Sequence, residues 1–186
     1  MSPAKRRVIS DREPGPIALN DEERRSIGLW AADCAERVLP LFEAKASSDT
    51  RPREAIEGIR LFGRGGKRTA RLRSLSWAAY AAARESGDPV AAAAARAAGL
   101  AAATAYVHAV ATVHQSKHVL GPAVYGARAR ELAGGPNSSA GDEEIRWAIE
   151  HAAPEVREVV RRFPVRGSGR GRLDALFCRL DAGLRG

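Results

Sequence analysis

Ten of the thirteen residues from Ala91 to Ala103 are alanine, interrupted by Arg96, Gly99 and Leu100. Side chains that short bury little area of their own, so such a segment is useful where neighbouring helices approach its backbone closely, at the centre of a tight bundle. Its start is explicit. In Gly87-Asp88-Pro89 the glycine ends one helix, Asp88 caps the next and Pro89 takes its first position. Of the 186 residues, 37 are alanine and 26 arginine, both strong helix formers, whereas Phe, Trp and Tyr together number ten. These features predict an all-α, single-domain bundle of about six to seven helices around the Ala-rich one, since a chain of this length ordinarily forms one domain.

Residues 1–19 combine Lys5, Arg6, Arg7, Pro14, Gly15 and Pro16 without periodicity and read as a flexible basic arm. The bundle domain is expected over 20–164. Asn20 or Asp21 should cap a first helix in which Ile27, Trp30, Ala31, Cys34, Val38 and Leu41 recur every three or four residues. Cys34 lies in that stripe with no His or Lys beside it in sequence, so it reads as a small buried hydrophobe. A second helix begins at Pro52, turns Ile56 and Ile59 inward and stops at Gly63-Arg64-Gly65-Gly66. A third spans Lys67 to Glu85, with Leu72, Leu75, Ala79 and Ala82 inward and Trp77 and Tyr80 at the border.

Beyond the Ala-rich segment, helical periodicity carries on through Thr104, Tyr106, Val107, Val110 and Val113 to Leu120. There Gly121-Pro122 should kink or break it, before a further stretch from Ala123 to Leu132. Helices follow at 142–151 and from Pro154 to Phe163. Residues 165–186 read as a Gly/Arg-rich linker and a short C-terminal amphipathic helix carrying Leu173, Leu176, Phe177, Leu180 and Leu184, docked on the bundle or on a partner.

Three of the four histidines fall between 108 and 118. His114 and His118 are four apart and project from one side of a helix, as two metal ligands would, whereas His108 would point about 120° away. No Asp or Glu lies between Asp88 and Glu131, so a metal would need ligands from another helix, and no metal is expected. His114, His118, Tyr125 and Arg128 instead form a polar stripe, either of helix-crossing hydrogen bonds or of partner contacts. Arg60, Arg64, Lys67, Arg68 and Arg71 form a second candidate surface, basic and without one acid between Glu57 and Glu85. Such density suits an anionic protein or nucleic acid, yet no helix-turn-helix, zinc-finger or RNA-binding motif accompanies it. Gly63-Arg-Gly-Gly66 is not a phosphate loop, because no Lys-Ser/Thr pair follows and no strand precedes it. Ser74, Ser76 and Ser116 have no catalytic motif around them, so nothing in the sequence specifies a reaction.

No run of 18 apolar residues exists, the first residues contain no hydrophobic leader, and two distant cysteines cannot make a disulfide scaffold. A cytoplasmic protein without membrane contact is the expectation.

Three segments in order carry a resemblance: Leu29–Glu43 (LWAADCAERVLPLFE), Asp49–Glu57 (DTRPREAIE) and Ala111–Tyr125 (ATVHQSKHVLGPAVY). Over residues 25–135 the chain resembles the putative immunity protein family of bacterial polymorphic toxin systems. Pro122 departs from the family pattern. The resemblance implies an all-helical protein that binds and neutralises a cognate toxin by protein–protein contact, without cofactor or catalysis. Immunity proteins that mimic nucleic acid are expected to be acidic, whereas this chain carries a formal charge of +8. The partner is therefore expected to present an acidic contact surface. The alternative is a basic helical protein associated with nucleic acid.

Overall fold

Asn20 opens the first helix as the sequence predicts. Its side chain accepts from the Glu23 backbone N–H at 2.8 Å and Glu23 accepts from the Asn20 N–H at 2.9 Å, a reciprocal cap. The computed structural model describes residues 15–167 and 169–186. Among these run α1 (Asp21–Glu36), α2 (Leu39–Glu43), α3 (Arg51–Gly63), α4 (Ala70–Glu85), α5 (Pro89–Ala103), α6 (Val113–Gly134), α7 (Ala140–Glu150), α8 (Pro154–Arg162) and α9 (Arg172–Arg185), with a single 3₁₀ turn at Thr104–Tyr106. The fold is all-α and single-domain. The helices number nine among the described residues rather than six or seven, in part because the expected first helix divides: α1 stops at Glu36 and Pro40 sits in the first turn of α2.

The Ala-rich helix is central. Asp88 accepts from the N–H groups of Val90 and Ala91, each at 2.9 Å, and Pro89 begins α5. Ala91, Ala95, Ala97, Ala98, Ala101 and Ala102 are wholly buried, and α1, α2, α3, α4 and α6 all pack against the helix. Gly99 shows how close the approach is, because a Cβ there would lie 3.2 Å from the Ser76 carbonyl oxygen and 3.3 Å from the Tyr80 ring. The Ser76 hydroxyl donates to the Gly99 carbonyl at 2.8 Å, pinning α4 to α5.

Two expectations about the following stretch are corrected. The helix does not run from Ala91 to Leu120; α5 stops at Ala103, and residues 107–112 form a connection. Thr104, Val107, Val110 and Thr112 are β-branched, and the Thr104 hydroxyl donates to the Ala101 carbonyl at 2.6 Å, competing with helix continuation. Arg24 and Arg68 donate to the freed carbonyls of Val107 (2.6 Å) and Ala105 (3.1 Å). Pro122 neither breaks nor ends α6, which continues from Val113 to Gly134. A proline inside a helix costs about 3 kcal/mol. Val119, Leu120 and Val124, all fully buried, each contribute roughly 1.5–3 kcal/mol by burial, so packing on both sides outweighs the lost backbone bond.

Of the 1–19 segment, residues 1–14 lie outside the described residues. Gly15 and Ile17 pair with the 107–112 connection through Ala111 N–H to Gly15 (3.0 Å) and Ile17 N–H to Ala109 (3.1 Å). Helix α9 packs on α6, α7 and α8, burying Leu176, Leu180 and Leu184 completely. Arg172 at its start reaches Glu131 of α6 and Asp142 of α7 (2.8 Å), and Arg179 reaches Asp142 at 2.9 Å. No described helix is long and apolar enough to cross a membrane.

Two measurements check this packing. Ala98→Leu should overpack the centre and cost about 1–3 kcal/mol, lowering the thermal midpoint by about 2–4 °C for each kcal/mol. The hydrogen bond from Arg172 holds the Asp142 carboxyl below its ordinary range, helped by the charges of Arg172 and Arg179 against the opposing effect of burial. A depressed carboxylate stabilises the fold above its unfolded value, and that stabilisation is lost as pH falls through the folded one. Arg172→Ala should therefore be less stable at neutral pH in urea melts, with the gap narrowing below about pH 4.

Candidate functional site

The polar stripe lies on the exposed flank of α6. His114 is exposed and His118 half-buried, with their rings edge to face at 5.0 Å and their Nε2 atoms 3.4 Å apart. Burial holds the His118 imidazole below its ordinary value, and the neighbouring His114 and His108 add to that effect. Tyr125 follows two turns on, with the Arg96 guanidinium 5.8 Å above its ring. These side chains open into a hollow of about 400 Å³ walled by Tyr80 and Arg84 of α4, Arg96 and Leu100 of α5, Lys117 of α6, and Leu173, Asp174 and Phe177 of α9.

A second hollow, of about 610 Å³, adjoins it and shares Tyr80, Arg84 and His118. Arg73, Ser76, Trp77, Ala103, Tyr106, Val107, His108 and Gln115 complete its wall. Together the two make one cleft over the end of α5. His108 reaches it from the connection rather than from the helix carrying His114, so the helical phase angle expected between them does not apply: the chain leaves helical geometry before residue 108. The His108 N–H donates to Gln115 Oε1 at 3.0 Å, which ties the connection to α6.

Four cations line this cleft: Arg73, Arg84, Arg96 and Lys117. None makes an ion pair among the described residues, while Arg37, Arg51, Arg53, Arg60, Arg162 and Arg172 do. Arg73 lies 4.5 Å over the Tyr106 ring, and Tyr106 donates its hydroxyl to the Thr69 carbonyl at 2.5 Å, so this cation rests against an aromatic ring that is itself tied to the chain. Trp77, 65% exposed, stands beside Tyr80 at a ring distance of 6.0 Å. Burial, with the nearby Tyr125, pushes the Tyr80 hydroxyl up to about 12, so it is a hydrogen-bond donor at neutral pH and not a base.

Arg128 stands apart from the rest of its stripe. It pairs with Glu131 at 2.6 Å and borders a separate hollow with Pro136 and Arg172. The second candidate surface is also divided. Arg60 is committed to Asp33 (2.8 Å) and Glu36 on α1, and Arg68 donates to Ala105. Lys67 and Arg71 line a hollow that Glu54 and Glu57 share, and Arg64 is exposed at the end of α3. Sequence reading passed over Arg84, Arg96, Leu173 and Phe177 as site residues. A signal existed for two of them: Arg96 is the one charge in the Ala run, and Arg84 follows Trp77 by seven residues, on the same face of α4.

The cleft holds no nucleophile beside a base among the described residues. The Ser76 hydroxyl is spent on Gly99, and the imidazoles face each other. No group of three or more His, Cys, Asp or Glu side chains is arranged for a metal among the described residues. Cys34 is buried, and burial raises its thiol well above the ordinary value.

The family model described as Imm-5 like putative immunity protein matches residues 18–155. The chain belongs to this family. The match takes in α1 through α7, and α9, which supplies Leu173, Asp174 and Phe177 to the cleft, lies outside it. No curated protein and no solved structure matches the chain.

The histidine pair gives a direct check on the local electrostatics. In His114→Ala the neighbouring charge is gone, so His118 should titrate closer to 6.5 than in the unaltered protein, followed by its ring proton shifts in NMR. An unchanged midpoint would leave burial and His108 as the causes.

Proposed function

We propose that this protein is an immunity protein that neutralises a cognate bacterial toxin by binding it, in the cytoplasm of the producing cell and without catalysis. Family membership supports the immunity role. The observation that carries the binding mode is the cleft, where cations without an ion pair among the described residues lie near an exposed tryptophan and, among the same residues, no nucleophile stands beside a base. Concentrated, unneutralised charge steers an oppositely charged partner and suppresses wrong ones, while aromatic side chains supply contact area. His114, His118 and Tyr125 are then contact residues. Arg128 and the five basic residues of the α3–α4 region are secondary, since most of them already face acids or carbonyls within the fold.

The product of the adjacent reading frame is the partner to test. Co-expression should restore growth of cells making that product, and the two proteins should co-purify. The complex should persist as salt rises from about 50 to 200 mM, a range in which non-specific DNA binding through several phosphate contacts falls by about 10³–10⁵. Tight DNA binding together with no captured neighbour would replace this reading with the nucleic-acid one.

A further inference from the structure

We infer that the cleft between α4 and α6 is a docking site for one acidic segment of the partner protein, a segment that inserts a large apolar or aromatic side chain between its carboxylates. This inference rests on the toxin-binding reading and specifies the chemistry of the contact.

The charge argument comes first. Elsewhere on the molecule many guanidinium groups are neutralised internally, as Arg60 is by Asp33 and Glu36, and Arg172 by Glu131 and Asp142, while Arg25, Arg68 and Arg157 donate to backbone carbonyls and Arg64 and Arg71 are exposed without an ion pair among the described residues. Around the cleft Arg73, Arg84, Arg96 and Lys117 face no acid that pairs with them among the described residues. Two of them lie over tyrosine rings, Arg73 at 4.5 Å and Arg96 at 5.8 Å, within the range of cation–π attraction, which favours these placements before any ligand arrives. Ordering long side chains costs conformational entropy, so cations already held on rings lose less on binding a carboxylate.

The floor gives the second half. Between the cations lie Leu100, Ala103 and Phe177, with Trp77 exposed at the rim. A row of phosphates has no use for that surface, whereas a side chain flanked by carboxylates would bury against it. Asp174 is the single acid of the wall, 3.9 Å from Arg166. It would repel a continuous phosphate backbone at the α9 end. The same charge requires a donor, rather than a carboxylate, at that end of a bound segment. The site therefore has a direction: carboxylates toward Arg73 and Arg84, a donor toward α9.

The full-length protein can be titrated with fluorescein-labelled random copolymer of Glu and Tyr, with poly-Glu and with a 20-base-pair DNA, followed by anisotropy. The Glu/Tyr copolymer should bind saturably and more tightly than poly-Glu. Arg84→Ala combined with Lys117→Ala should weaken it about tenfold, and Trp77→Ala should weaken it while leaving poly-Glu unaffected. Arg64→Ala, away from the cleft, should change nothing. All these side chains are exposed, so an unchanged thermal midpoint confirms that each variant is folded. Equal binding of poly-Glu and copolymer overturns the apolar anchor, and DNA binding lost in the same cleft variants overturns the acidic peptide. The two readings separate on the neighbouring toxin. If it binds wild type and cleft variants equally, the docking site is wrong and the immunity function stands. If it does not bind at all while the copolymer does, the cleft chemistry stands and the toxin assignment falls.

Discussion

Close approach to α5 is the constraint from which α1, α2, α3, α4 and α6 take their positions. A side chain that ends at Cβ leaves a helix backbone open to contact from every direction, and α1, α2, α3, α4 and α6 use that access. Little hydrophobic area comes from the alanines themselves. The large apolar groups sit on the surrounding helices, with Ile56, Ile59, Phe62 and Leu72 around α5 and Val119, Ile145, Val156, Leu176 and Leu180 in a second cluster under α6 to α9. Helix α6 borders both. Its Gly121 admits Leu100 of α5 on one side, where a Cβ would come within 2.8 Å of the leucine, and its Val119 and Val124 face the second cluster.

Arginine resolves into two populations once the fold is known. One ties elements together: Arg37 reaches the buried Glu144 and stacks 4.0 Å over Trp147, which in turn stacks on His151, so that α1, α6 and α7 meet around one neutralised charge. Arg130 adds a contact to Glu144 at 3.7 Å. The other makes no ion pair among the described residues and includes Arg73, Arg84 and Arg96 of the cleft, whose wall holds one acid, Asp174. The formal +8 of the chain therefore says less about binding than the uneven way in which it is cancelled.

Much of the fold was legible where local chemistry decides the outcome. Gly87-Asp88-Pro89, the Asn20 cap and the leucine stripe of α9 read directly, because each depends on residues within one or two turns. The break after Ala103 was not legible: Thr104 to Val113 satisfies a helical period, and what ends the helix includes carbonyl contacts from Arg24 and Arg68, distant in sequence. Pro122 misled for the same reason, since local cost was outweighed by burial against other helices. For the cleft, His114, His118 and Tyr125 could be placed together by spacing, whereas His108 could not, because helical spacing turns it away from them. Their companions on α4, α5 and α9 converge only through the tertiary arrangement, and Arg128 falls outside because its nearest favourable partner is Glu131, one turn away.

The hydrogen bond from Trp30 Nε1 to the Ala148 carbonyl, 2.9 Å long and buried, spans 118 residues. Synthesis proceeds from the N-terminus at about 5–20 residues per second, so residue 148 emerges about 6–24 s after residue 30. During that interval Ile27, Trp30 and Cys34, whose cluster also holds Val107 and residues of α6 to α9, are only partly covered, because α7, α8 and α9 have yet to emerge. The sequence-adjacent pairs α3 with α4 and α4 with α5 can close meanwhile, since short loops cost little entropy. The apolar edge of α1 is thus open to chaperones and proteases on the nascent chain until α8, which packs on α1, has also been made.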